Sequence, residues 1–126
     1  MNPTLFLLSA LAGGVGAALR LLVDGMVRNR TSGAYPWGTT LINVSGSLLL
    51  GVVVGLASVF LLSPEWRSIL GVGLLGGYTT FSTASFETVR LLREGRLVAA
   101  FANGLGMLLV SLAAAALGLW VGSCFA

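Results

Sequence analysis

Thr80, Ser82, Thr83 and Ser85 crowd four hydroxyls into the run Gly76-Gly77-Tyr78-Thr79-Thr80-Phe81-Ser82-Thr83-Ala84-Ser85. Hydroxyls and unpaired backbone amides are donors, and donors suit an anion that has shed its water. Phe81 adds an aromatic rim, the positive part of the ring quadrupole, which can meet an anion edge-on. Carbonyls freed in the same stretch are acceptors and suit a cation such as Na+. The run lies inside the apolar segment Ile69 to Leu92. Two adjacent glycines cost a helix roughly 1 kcal/mol each relative to alanine, and serine and threonine offer the backbone competing bonds. The spacing therefore predicts a helix broken here, and a break at membrane depth is tolerated only where it faces protein, a cavity or an ion. The plain alternative is an unbroken, Gly-rich helix packed on its neighbours.

Three further residues carry chemistry. Asn43 is a carboxamide early in an apolar segment, costly there unless bonded to protein, water or an ion, so it reads as a pathway group or a cross-helix bond. Arg20 closes Gly13-Gly14-Val15-Gly16-Ala17-Ala18-Leu19-Arg20. Its guanidinium either snorkels to the headgroups or, with other backbone brought close by the glycines, lines a vestibule that attracts anions. Glu87 reads first as one half of a charge pair, with Arg90 or Arg20, and second as an ion-pathway residue. Asn103, Met107 and Ser111 recur at four-residue spacing and form either a thin polar track or an ordinary helix contact.

The elements that must hold these residues are apolar throughout. Of 126 residues 56% are apolar and 9% charged, and the mean hydropathy is +0.98. The chain reads as an all-α integral membrane protein, a single domain over residues 1–126. Four segments approach the roughly 20 residues a membrane crossing needs: about Thr4 to Val23, Thr39 to Leu62, Ile69 to Leu92 and Leu97 to Gly122. The connections between them are short, with turns at Pro64 and Gly95. The N-terminus lacks the basic region of a signal peptide, and the apolar run continues past Ala10-Leu11-Ala12, so the first segment reads as a retained helix. Asn43, Ser47, Gly51 and Gly55 make one face of the second helix, and Ala114, Gly118 and Gly122 one face of the fourth; both let helices approach closely.

Composition also excludes chemistry. With no histidine, no lysine and one cysteine, Cys124, the chain offers no His/Cys zinc site, catalytic triad, Schiff-base lysine or intrachain disulfide. It does not read as an enzyme. The net charge of +3 comes from arginines at segment ends and is not a nucleic-acid footprint.

Taken together, Gly13-Gly14-x-Gly16-Ala17-x-x-Arg20, Gly38-Thr39-x-x-x-Asn43-x-x-Gly46 and Gly76-Gly77-x-Thr79-Thr80-Phe81-Ser82-Thr83 resemble the Fluc (CrcB) family of bacterial fluoride channels. The resemblance implies a four-helix subunit, its third helix broken near the middle, assembled as an antiparallel dimer with two pores that let fluoride leave the cell passively. It implies a structural, untransported Na+ on the backbone carbonyls of Gly76 and Thr79. It places Arg20 in a vestibule and Asn43 and Phe81 on the fluoride path, together with Ser82, Thr83, Thr39 and Ser111; Glu87 matches the acidic residue after the break. Two departures stand out: Ala84 where a second phenylalanine is common, with Phe86 two residues on, and Asn103, Met107 and Ser111 where an aromatic and two serines are common.

If the helices alternate, Arg20, Arg28, Arg30, Arg90, Arg93 and Arg96 fall on one side and Arg67 on the other. That bias predicts both termini outside, and the resemblance implies that the membrane is the bacterial inner membrane. A fixed orientation in turn predicts pairing with an oppositely oriented homologue, with a homodimer as the alternative. Two competing functions are a small proton-coupled multidrug exporter, whose carboxylate would have to be Asp24 at the membrane edge, and an inert assembly subunit, which leaves the hydroxyl-rich run unexplained.

Overall fold

The computed structural model describes residues 2–126 and is built from helices. Helix α1 spans Pro3–Arg28. Asn2 caps it, its side-chain oxygen accepting from the Leu5 N–H at 2.7 Å, and Pro3 occupies the first turn, where its missing N–H costs nothing. It runs past the expected end at Val23 because Asp24 and Arg28, one turn apart, pair at 2.9 Å. Helix α2 spans Trp37–Ser58. It stops short of Leu62 as the chain turns through Phe60, a non-glycine residue at φ +62°.

The third apolar segment is in two pieces. Helix α3 covers residues 64–78, starting at Pro64 behind a Ser63 cap and passing through a π-helical stretch, Ser68–Leu75. After Thr79, Thr80 and Phe81 the chain re-enters helix as α4, Ser82–Arg93. Gly95, at φ +74°, turns it into α5, Leu97–Ser123, which carries its own π-helical turn at Ala102–Gly106. Three helices, α1, α2 and α5, are long and apolar enough to cross a membrane unbroken. The third apolar segment is divided by the break and is not among them.

Close backbone approach holds the helices in register. A methyl group on Gly51 would strike the Ala115 carbonyl oxygen and one on Gly118 that of Leu48, so α2 and α5 touch backbone to backbone; Gly55 and Gly122 repeat the contact. Along α1, Gly16 lies against the Leu74 carbonyl and Gly77 against that of Gly13. The glycines of the first motif thus seat α1 on α3 and fix the height of the break. The small-residue face read on α2 divides in two: Gly51 and Gly55 pack on α5, while Asn43 and Ser47 turn toward a cavity beside the break.

Candidate functional site

The break falls on Thr79, Thr80 and Phe81, one residue past the glycine pair, which stays helical. Its cause lies on α2. The Asn43 side chain accepts from the Thr80 N–H at 2.9 Å and donates to the Thr80 carbonyl at 2.8 Å, replacing the helix bonds of that residue with a side-chain pair. Thr80 then acts as the cap of α4, its hydroxyl accepting from the Thr83 N–H at 3.1 Å. Tyr78 and Ser45, joined through their hydroxyls at 3.1 Å, brace the same junction. Sequence reasoning missed that brace, because two hydroxyl residues on separate helices carry no local signal.

Both kinds of freed backbone group are present. The Gly76 carbonyl loses its helical partner because the Thr80 N–H is engaged by Asn43, and the Thr79 carbonyl loses its own because the Thr83 N–H is engaged by Thr80. These two oxygens are hard acceptors at the C-terminal, negative end of α3 and fit a monovalent cation. On the other side of the break the N–H groups of Phe81 and Ser82 have no hydrogen-bond partner among the described residues. They sit at the positive N-terminal end of α4, where an anion is favoured. The Ser82 hydroxyl lies 3.4 Å from that of Thr80, and the Ser85 hydroxyl bonds back to the Phe81 carbonyl at 2.9 Å. Phe81 itself is 88% exposed on the open side of a cavity of about 610 Å³ beside the break.

Arg20 lies two turns inside α1, not at its end, and its guanidinium reaches the Thr79 carbonyl at 3.4 Å. It is half-buried and shares that oxygen with any cation there, which leaves the Gly76 carbonyl as the less encumbered acceptor. Glu87 is buried, 4% exposed, and accepts from the Thr39 hydroxyl at 2.6 Å. Its expected charge partner is absent: among the described residues no cationic group pairs with it, and Arg90 turns to the Ala34 carbonyl and to Glu94. The reason is position: Thr39 opens the first turns of α2, so a short hydroxyl and a helix N-terminus meet the carboxylate instead. A polar cleft of about 190 Å³, lined by Asp24, Arg28, Tyr35, Glu87 and Arg90 among others, opens at this arginine-rich end. Asp24, the carboxylate a proton-coupled exporter would need, is tied to Arg28 there.

Asn103, Met107 and Ser111 do share one face of α5, and all three line the larger cavity. Asn103 is fully buried, its side-chain amide donating to the Ala84 carbonyl at 3.1 Å and to the Thr88 hydroxyl at 3.0 Å. It anchors α5 to α4. Met107 is 7% exposed with its sulfur 3.6 Å from the Asn43 amide nitrogen, and the Ser111 hydroxyl is buried without a partner among the described residues. Ala84 is buried, whereas Phe86 is exposed on the outside of α4.

A hydroxyl-capped break with free amides on one side and free carbonyls on the other, clamped by an asparagine from the second helix, is the arrangement the three motifs encode. Residues 7–119 match the family model described as CrcB-like protein, Camphor Resistance (CrcB). The chain belongs to the CrcB family. Among its relatives, "Fluoride-specific ion channel FluC 1" of Leifsonia xyli subsp. xyli is 53% identical over 122 residues, 97% of this chain and 89% of that protein. "Fluoride-specific ion channel FluC" of Shewanella amazonensis is 42% identical over 118 residues, 94% of each chain. "Fluoride-specific ion channel FluC 1" of Streptomyces avermitilis is 45% identical over 106 residues, 84% of this chain and 86% of that one. These relatives are named as ion channels, not enzymes, and the apolar helices fit a membrane protein.

Proposed function

We propose that this CrcB-family chain forms a fluoride-specific channel through which fluoride leaves the cell passively. The observation that carries the reading is the break itself: the unpartnered N–H groups of Phe81 and Ser82 at the head of α4, beside an exposed aromatic rim and a cavity. Small anions need several donors to replace a tightly held hydration shell, and the hydroxyls of Ser82 and Thr83, with Asn43 and Ser111 along the cavity, extend that set. On this reading Arg20, half-buried and bonded to the Thr79 carbonyl, and Thr39 with Glu87 toward the arginine-rich end would flank the fluoride route. No carboxylate stands at mid-membrane for proton exchange, which supports passive conduction.

The Gly76 and Thr79 carbonyls would hold a structural Na+, which supplies fixed positive charge at the break and is not transported. Gly76 and Phe81 lie exposed on the open side of the cavity, which supports a second subunit covering that face in inverted orientation. Arg28, Arg30, Arg90, Arg93 and Arg96 gather where α1 and α4 end and α5 begins, with Arg67 at the opposite end. Arg20, drawn in toward the break, leaves five arginines against one, a bias that still puts that end in the cytoplasm of a bacterial inner membrane and both termini outside. A chain fixed in one orientation completes the inverted pair with an oppositely oriented homologue; a homodimer is the alternative.

Fluoride efflux from liposomes holding the purified chain, with chloride as control, tests the reading. Selective fluoride efflux is expected from the chain alone or after an oppositely inserted homologue is added. Silence in both preparations overturns it.

A further inference from the structure

Asn43 has one carbonyl oxygen and two amide hydrogens to place. The oxygen takes the Thr80 N–H and one hydrogen goes to the Thr80 carbonyl at 2.8 Å, both holding the break in shape. The second hydrogen is the group left to meet an anion in the cavity, and it is already occupied: the Met107 sulfur lies 3.6 Å from the amide nitrogen. A thioether is a weak acceptor on a flexible, unbranched side chain, so this contact is the easiest of the three to give up. The Thr80 bonds are backbone-directed and shorter, and losing either would leave a peptide group of the break unpaired.

Met107 is 7% exposed, lies on the wall of the same cavity, and stands one helical turn from Ser111, whose hydroxyl is buried without a partner. Two donors, the outward N–H of Asn43 and the O–H of Ser111, therefore flank one methionine. An acceptor that is neutral and soft satisfies the amide without drawing water or a competing ion into the apolar wall.

We infer that Met107 is a displaceable latch: its sulfur holds the cavity-facing N–H of Asn43 when no anion is present, and it swings aside when an anion takes that hydrogen. The latch rests on the channel reading for its cargo but makes Met107 the residue that sets how readily the site at Asn43 opens. Each anion bound there displaces one sulfur contact, so the apparent affinity of the site is lowered by the stability of the latched state.

The test uses the full chain with sodium fluoride as the probe and sodium chloride as control. The Asn43 carboxamide resonances, assigned by their loss in Asn43→Asp, are followed through a fluoride titration in the native chain, in Met107→Ala and in Met107→Leu. The leucine variant keeps the volume and so guards against a folding failure in the alanine one. Fluoride efflux from liposomes is measured in parallel. Removing a weak acceptor is expected to lower the fluoride midpoint at Asn43 by about threefold in Met107→Ala, with a smaller shift in the same direction in Met107→Leu and faster efflux from both. Equal midpoints in the folded variants, or a fluoride-insensitive Asn43 in all three proteins, overturn the latch. Selective native efflux with unchanged Met107 variants sinks the latch and leaves the channel standing. A fluoride-sensitive Asn43, tightened in the variants but without efflux even after an oppositely inserted homologue is added, keeps the latch and sinks the channel.

Discussion

The side chain of Asn43 holds both backbone groups of Thr80, accepting from its N–H at 2.9 Å and donating to its carbonyl at 2.8 Å. One carboxamide on α2 therefore takes the place of two helix bonds and decides where the third crossing opens. The Gly76 carbonyl is freed by that substitution, and the Thr79 carbonyl by the Thr80 hydroxyl, which takes the Thr83 N–H.

Asn43→Leu is expected to remove both bonds and leave a peptide unit of the break unpaired, a loss of about 1–3 kcal/mol for each buried group left unsatisfied. Asn43→Asp keeps the acceptor but replaces the donor with oxygen and should fall between native and leucine. Thermal unfolding in detergent reads the order. A leucine variant as stable as the native chain would show that the clamp contributes nothing.

Gly77→Ala places a methyl group against the Gly13 backbone, and Gly16→Ala one against the Leu74 carbonyl. Each forces α1 away from α3 at an expected cost of about 1–3 kcal/mol, the range for overpacking. Gly14, with nothing near its missing side chain, is the control: Gly14→Ala should be neutral or stabilise by up to about 1 kcal/mol. Equal losses at all three positions would mean that backbone approach is not what seats α1.

Among the described residues Thr39 supplies the one hydrogen bond that Glu87 receives, at 2.6 Å. Thr39→Val strands a buried carboxylate and should cost more stability than Glu87→Gln, which keeps an oxygen able to accept from Thr39 and sheds the charge. The expected gap is about 1 kcal/mol or more in thermal or denaturant unfolding. The reverse ranking would point to a partner for Glu87 other than Thr39.

Sodium should raise the unfolding temperature of the assembled protein relative to N-methylglucamine at equal ionic strength, because a cation bound only by the folded state stabilises it by mass action. The gain should saturate with sodium concentration. A melting temperature indifferent to the cation would remove Na+ from the break at Gly76 and Thr79.

A reporter fused behind Ala126 should be found almost wholly outside the cell, given five arginines at the opposite end against Arg67. Equal signal from both sides would sink the fixed orientation and restore the homodimer.

Much of this protein was legible in its residues one by one. Long apolar segments set by mean hydropathy gave a membrane protein, and glycines four apart marked faces where backbones meet, since both properties are local and periodic. Three motifs were enough for the family. The hydroxyl run marked the broken crossing, because poor helix formers cost energy wherever they stand.

What tertiary structure decided is which residue meets which across helices. The glycine pair stays helical because Gly77 is needed against Gly13, and the break moves on to Thr79–Phe81 because Asn43, 37 positions away, competes for Thr80. Arg20 bonds to a carbonyl 59 positions distant, and Glu87 finds Thr39 where charge counting alone suggested an arginine. Met107 meets Asn43 across 64. Such pairings depend on the height and rotation at which glycine contacts lock one helix on the next. Composition and spacing register neither, whereas close packing fixes both.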